Sequence, residues 1–324
     1  MRRLSFVAMI LWCSFVFVGA KNPIRAGLPE YGIRDCHVIF ENNRYYMTGT
    51  EISAPGKPKE GIALYESRDM KRWERCAVLL DRDNVAADSP YRDGWDSPEI
   101  TKIDQRYVLT FGGRNNDVNP YAPTQIVVAV SDNIAGPYTI ITPETLLRGN
   151  RFTLLEDDGR IYAYWELDGS LYGTEMDRSL TRFISEAQLL LKPRQLRRDD
   201  RFLDAPSMLK IGDTYHLIYT VFKGGYYATF ATSDAPLGPW SGGEANEIFY
   251  RSEDQAPTIL QGRYDNSLLF APPCEIIGNV QFFQGRRGRW YVVYHSEDKY
   301  AEPYLCIDEA EVTERSIKVK LTLP

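Results

Sequence analysis

The sequence predicts an all-β fold: a five-bladed β-propeller of four-stranded antiparallel blades around a central funnel. Three observations predict it. First, a short element recurs five times, one or two polar or glycine residues followed by an aromatic-rich strand start. It reads Asn43-Arg44-Tyr45-Tyr46, Gln105-Arg106-Tyr107-Val108, Gly159-Arg160-Ile161-Tyr162, Asp213-Thr214-Tyr215-His216 and Gly288-Arg289-Trp290-Tyr291. Second, successive copies are 62, 54, 54 and 75 residues apart, the length of a propeller blade with elaborated loops. Third, 13% of the chain is aromatic and long helical patterns are few, which suits a β interior.

Each blade is justified in turn. Blade one has strand signals at 36–41, 45–49 and 62–66, then a polar turn, Ser67-Arg68-Asp69, with Trp73 as anchor. Blade two repeats this at 99–103, 107–111 and 126–130 and closes with Ser131-Asp132 and Gly136-Pro137-Tyr138. Blade three runs 152–155, 161–165, 171–175 and 187–191. Blade four runs 207–211, 215–221 and 226–232 and closes with Ser233-Asp234 and Gly238-Pro239-Trp240. Blade five has signals at 280–284, 290–295 and 304–310. In the closing turns Ser and Asp are expected to cap the backbone while the aromatic packs between blades. The charged stretch 194–201 reads as a solvated loop.

Residues 1–20 have the three parts of a secretory signal peptide: Arg2 and Arg3, an apolar run over 4–18, and the small residues Val18-Gly19-Ala20. Cys13 has Leu11 and Trp12 before it, which argues against lipid attachment. The expected mature chain, 21–324, is a single propeller domain, secreted or periplasmic. It carries 36 basic against 44 acidic residues, so it has no electrostatic footprint for nucleic acid or an anionic membrane. Cys36, Cys76, Cys274 and Cys306 remain after cleavage. No two form a CxxC pair, which disfavours zinc, and two disulfides or free thiols both stay open.

In a propeller the innermost strands begin near the axis, so the residues just before them converge. Those stretches are Arg34-Asp35-Cys36-His37, Trp95-Asp96-Ser97-Pro98-Glu99, Gly149-Asn150-Arg151-Phe152, Leu203-Asp204-Ala205-Pro206 and Ile277-Gly278-Asn279-Val280. A ring of carboxylates and amides exceeds what a core needs, because buried charge is costly unless paired. It points to a polar ligand or to catalysis.

These stretches resemble glycoside hydrolase family 43, the five-bladed arabinofuranosidases and xylosidases. The segment from Arg34 to His37 is similar to that family's Asp-Pro-His opening. Trp95-Asp96-Ser97-Pro98-Glu99 resembles its Trp-Ala-Pro-acid segment, and Asp204-Ala205-Pro206 its Glu-Gly-Pro. Gly278-Asn279 with Trp290-Tyr291-Val292-Val293-Tyr294-His295 is similar to its Gly-His and Trp-Tyr-Tyr-His blade. The resemblance implies Asp35 as general base, Asp204 at the general acid's place and Asn150 at that of a pKa-tuning aspartate. An inverting glycosidase needs such a pair ~6.5–9.5 Å apart, with the acid's pKa raised.

The chain departs from the family pattern. Asp204 is one methylene shorter than Glu, Asn150 lacks the charge of Asp, and Asn279 stands where the family has a His that helps hold a central metal. That last change weighs against a central calcium, and no other cofactor is implied. No Gly-Arg follows His295, where the family has a substrate-contacting arginine. Glu99 and Glu166 are alternative acids. Expected substrate contacts are His37, Trp95, Asp96, Glu99, Arg151, Trp165, Glu166, Asn279 and His295. Inter-blade packing is the competing reading for Trp95 and Trp165, and His216 reads as structural. The expected partner is a carbohydrate substrate, a plant or algal polysaccharide side chain. The rival reading is a carbohydrate-binding propeller that has lost catalysis.

Overall fold

A computed structural model of the chain describes residues 22–119, 121–143, 147–193, 202–222, 226–247, 276–297, 302–314 and 316–320. The expected signal peptide, the 194–201 stretch and Cys274 lie outside the described residues.

Five four-stranded antiparallel sheets follow one another along the chain, each in simple meander order. Blade one is β1 (Ile33–Glu41), β2 (Arg44–Glu51), β3 (Gly61–Ser67) and β4 (Glu74–Asp81). Blade two is β5 (Asp93–Ile103), β6 (Arg106–Arg114), β7 (Gln125–Ser131) and β8 (Thr139–Ile140). Blade three is β9 (Asn150–Asp157), β10 (Arg160–Leu167), β11 (Ser170–Met176) and β12 (Gln188–Leu191). Blade four is β13 (Phe202–Ile211), β14 (Thr214–Phe222), β15 (Tyr226–Ser233) and β16 (Ser241–Glu247). Blade five is β17 (Ile276–Gln284), β18 (Trp290–Glu297), β19 (Pro303–Val312) and β20 (Ile317–Lys320). Among the described residues the sole helix is one 3₁₀ turn, Arg286–Gly288, and no helix is long and apolar enough to cross a membrane. The five recurring elements of the sequence are the hairpins between first and second strands.

Each inner strand touches the next, and β17 meets β1, so the sheets close into a ring. The core is divided among the five blade junctions. Val38 and Met47 of blade one meet Phe283 and Val293 of blade five, and Ile62 and Leu64 meet Ile100 and Leu109 of blade two. Val108 and Val128 then pack on Leu154 and Ala163, Leu171 on Leu217 and Ala231, and Ile218 and Phe230 on Val280 and Val292. Inner strands are therefore covered on both faces and read as near-continuous apolar runs. Each such aliphatic side chain stabilises the ring by about 1.5–3 kcal/mol.

The ring is also fastened by polar contacts. The Ile24 N–H donates to the Leu305 carbonyl at 2.9 Å. Asn22 donates its amide to Asp308 at 3.0 Å and accepts the Ile307 N–H at 3.0 Å. Across the same junction the Gln281 side chain accepts from the Val38 N–H and donates to the Val38 carbonyl, at 3.0 and 3.2 Å. The closing turn of blade one behaves as expected. The Ser67 Oγ accepts the Met70 N–H at 2.9 Å, Asp69 accepts those of Lys71 and Arg72, and Trp73 is fully buried.

Candidate active site

One irregularity recurs in all five inner strands, and it builds the site. Two residues there oppose a single residue on the second strand: Asp35 and Cys36, Ser97 and Pro98, Arg151 and Phe152, Ala205 and Pro206, Asn279 and Val280. The first of each pair has a positive φ: 54°, 50°, 57°, 49° and 51° in that order. Such a bulge bends the strand and re-aims its side chains. Left-handed backbone is costly for any residue with a Cβ, so the exposed N–H groups must be well held. In blade one the Asp35 N–H donates to His295 Nδ1 at 3.1 Å, and in blade two the Ser97 N–H donates to Thr50 Oγ1 at 2.7 Å. In blades three and four the preceding side chain accepts it: Asn150 Oδ1 from Arg151 at 3.0 Å and Asp204 Oδ1 from Ala205 at 2.8 Å.

The bulges gather the charges around Arg151. Its Nη1 lies 2.5 Å from Asp35 Oδ1 and its Nε 3.3 Å from Asp204 Oδ2. Because one guanidinium reaches both, the nearest oxygens of the two carboxylates are no more than roughly 8 Å apart, an upper bound that takes in both the ~5–5.5 Å of a retaining pair and the ~6.5–8 Å part of the inverting range. Asp35 is fully buried; desolvation alone would raise its pKa. Arg151, His295 and Arg34 outweigh that and hold the carboxyl well below the usual carboxylate range. The Thr50 hydroxyl donates to its other oxygen at 3.0 Å, and Arg34 Nε stands 3.5 Å away. Burial likewise works against the charge on Arg151, but Asp204 and Asp35 prevail and hold it protonated. Asp96 forms an ion pair with Lys59. Glu166 faces Asn150 across β9 and β10. Burial, and then the charge of Asp204, raise its pKa, while the Gly169 N–H donates to its Oε1 at 2.6 Å.

His37, Glu99, Arg151 and Asn279 line a small cavity together with Ser97, Pro98, Phe152 and Pro206, all at or beside the five bulges. Burial raises Glu99 to about 7 although Thr153 donates to it at 2.6 Å. Burial also pushes His37 down to about 3. The two side chains, 3.5 Å apart, are thus both uncharged in weak acid. This donor set does not suit a hard divalent cation, which asks for six or more oxygen ligands including carboxylates. Among the described residues no three His, Cys, Asp or Glu side chains converge for a metal.

The sequence pattern of glycosyl hydrolases family 43 matches residues 20–316. The chain belongs to that family. It is therefore a glycoside hydrolase by descent, on the five-bladed scaffold expected. Solved structures agree on the fold. A thermostable family-43 glycoside hydrolase is 22% identical, with a TM-score of 0.73 over 93% of this chain and 96% of its own. An endo-1,4-beta-xylanase from Bacteroides thetaiotaomicron is 23% identical, with a TM-score of 0.71 over 90% and 94%. An endo-arabinase from the same organism is 18% identical, with a TM-score of 0.66 over 89% and 98%. No curated protein sequence matches the chain.

Within this family-43 chain the structure brings Asp35, Asp204, Arg151, Asp96, Glu166, Asn150 and His295 to one region, with His37, Glu99 and Asn279 lining the cavity beside it. It takes two expected contacts away. Trp95 and Trp165 are each 1% exposed and offer no face to a sugar. Trp95 packs on Phe111, and Trp165 stacks between Tyr172 and Phe183, the latter at 5.4 Å and 4°. Inter-blade packing is the correct reading for both. His216 is buried against Phe230, as expected. Three contributors went unread in the sequence: Thr50, Lys59 and the side chain of Arg34. Arg34 adjoins Asp35 in the chain, whereas Thr50 and Lys59 reach the site through strand pairing and a loop that no local pattern reveals.

Proposed function

We propose that the protein is an exported glycosidase that removes sugars from plant or algal polysaccharide side chains by single displacement with inversion. Asp35 serves as base and Asp204 as acid. The observation that carries this reading is the convergence of Asp35 and Asp204 on the single guanidinium of Arg151. Asp35 stays ionised at any working pH and can orient a water molecule toward the anomeric carbon. Asp204, shared with Arg151 in the resting site, would need the incoming glycosidic oxygen to take it from that contact before it delivers a proton. Xylan and arabinan are the first substrates to try, since the similar structures include an endo-1,4-beta-xylanase and an endo-arabinase.

A specific observation favours Glu166 as an alternative acid. Burial raises its pKa, as it does that of Glu99, and the charge of Asp204 adds to the rise against the Gly169 N–H. A raised pKa is the condition a general acid requires, and of these two carboxyls it is Glu166 that feels Asp204. The test is a screen of aryl furanosides, aryl pyranosides and natural oligosaccharides on the wild type and Asp35→Asn, with the product anomer read by NMR. Turnover with inversion that disappears in Asp35→Asn supports the proposal. Tight binding with no turnover in either protein replaces it with a carbohydrate-binding role.

A further inference from the structure

We propose that residues 115–119 and 121–124, between β6 and β7, carry a sugar-stacking platform on the funnel rim. There Tyr121 and Val118 would receive a monosaccharide unit of a polysaccharide chain that continues out of the funnel; this rests on the hydrolase reading above.

Strand register places the loop. Asp96 pairs with Gly112 and Asp93 with Arg114, the last residue of β6, so the chain leaves β6 at the level of the funnel carboxylates. It returns beside the site as well. The Thr124 carbonyl accepts the Gly149 N–H at 3.3 Å, and Gln125 bridges Arg148. A Cβ placed on Gly112 would meet Thr124 Cγ2 at 2.7 Å and Asn150 Oδ1 at 3.1 Å, which puts Thr124 against the funnel wall. Tyr121 is three residues away, roughly 10 Å of chain at most.

Tyr121 is 92% exposed and Val118 72%. Val78 and Leu189 are also exposed, but they lie on the outermost strands of their blades; Tyr31 and Ile184, in connections outside the strands, are less exposed, at 39% and 52%. The loop is not simply loose. Asn115 donates its side-chain amide to the carbonyls of Ala87 and Ser89 at 3.1 and 2.7 Å and accepts the N–H groups of Asp117 and Val118. The Tyr121 N–H is held by Asn119 Oδ1 at 3.0 Å. Asp117 is paired with Arg92 at 3.2 Å and with Arg82. The braced residues on either side of position 120 therefore hold out Val118 and Tyr121 with most of their surface in solvent.

The occupant follows from size and chemistry. Two side chains fall far short of the roughly 800 Å² per partner of a stable protein interface, whereas one aromatic ring matches one sugar. Sugars pack their C–H faces on such rings while a phenol tip still meets water and hydroxyls. Trp95 and Trp165, being buried, offer no such ring.

Arabinan and xylan serve as probes, with Tyr121→Ala, Tyr121→Phe and Val118→Ser in the full chain. Affinity electrophoresis reads polysaccharide binding, and kcat/KM is compared on polysaccharide and on an aryl monoglycoside. Tyr121→Ala is expected to weaken polysaccharide binding and kcat/KM about three- to tenfold and to leave the aryl glycoside unchanged. Val118→Ser should act in the same direction, and Tyr121→Phe should restore the wild-type values. An equal loss on both substrates, no change on polysaccharide, or no retention of either probe by the wild type overturns the platform. If the wild type cleaves nothing yet retains a probe, the hydrolase reading fails, while loss of retention in Tyr121→Ala still supports the platform.

Discussion

Arg151 and Asp35 meet at 2.5 Å inside the funnel wall, the carboxylate 1% exposed and the arginine 16%. Each supplies the charge that makes the other tolerable. Removing one partner of a buried pair leaves an uncompensated charge, at a cost of about 3–5 kcal/mol. Arg151→Met, which strands the fully buried Asp35, is expected to lower unfolding free energy by that order in urea titrations, Asp35→Asn by less because Asp204 still faces Arg151, and the double variant by clearly less than the sum. Additive losses would mean that the contact is not an energetic unit. The acid limb follows from the same pair. Asp35 binds fewer protons folded than unfolded, so its contribution is present above the unfolded carboxylate pKa and is lost as pH falls below ~4.

Glu99 has the opposite sign. Burial raises it to about 7 from an ordinary value of 4.5, so between those values the folded state keeps a proton that the unfolded chain has released. Stability therefore declines as pH rises through that window and stays lower above it. Glu99→Gln removes the titration while its amide oxygen can still accept from Thr153. The variant should gain about 3 kcal/mol relative to wild type on going from pH 4.5 to pH 8. Thermal or urea unfolding at both pH values checks this, and a pH-independent difference would refute it.

Much of this was legible in the sequence, and the illegible part has a specific cause. The hairpins from first to second strand announce themselves because inner strands are covered on both faces. Outer strands do not: β16 reads Ser-Gly-Gly-Glu-Ala-Asn-Glu and β8 has two residues. The gathering of Asp35, Asn150 and Asp204 followed from the repeat. The bulge did not, and it shifts the comparison by one residue, so that Asp35 corresponds to Arg151 and Asp204 to Asn150. Asn150 reads alone as a lost carboxylate; its neighbour turns out to supply the cation that binds the other two. Trp95 and Trp165 lie close to funnel residues in sequence, but successive strand residues face opposite ways, and theirs face the blade junctions.

The identity of the acid is separable by leaving-group chemistry. An activated aryl leaving group departs without protonation, whereas an alkyl or sugar leaving group requires it. If Asp204 is the acid, Asp204→Asn should lower kcat on natural oligosaccharides about 10²–10⁴-fold and spare the most activated aryl glycoside, while Glu166→Gln has a small effect on both. The reverse pattern would assign the proton to Glu166. Asp35→Asn should abolish both activities, because water attack is common to them.

Gly278 sits at the position in blade five that Arg34, Asp96, Asn150 and Asp204 hold in the other blades, and it is the one without a side chain. A Cβ there would lie 2.6 Å from His295 Cε1 and 2.7 Å from Nε2, too close for either to stay in place. His295 in turn accepts the Asp35 N–H through Nδ1. Burial pushes its imidazole down to about 4, so near neutral pH that nitrogen is free to accept. Gly278→Ala is thus expected to displace the ring, free the N–H of a residue in left-handed backbone and tilt Asp35 away from the position in which it would orient a water molecule. The stability loss should be about 1–3 kcal/mol, with a fall in kcat larger than any rise in KM. His295→Ala in the Gly278→Ala background makes the argument testable. With the ring gone the added methyl meets no obstacle, so the second substitution should cost little more than the first. Full independence of the two would show that Gly278 matters for some reason other than the space His295 fills.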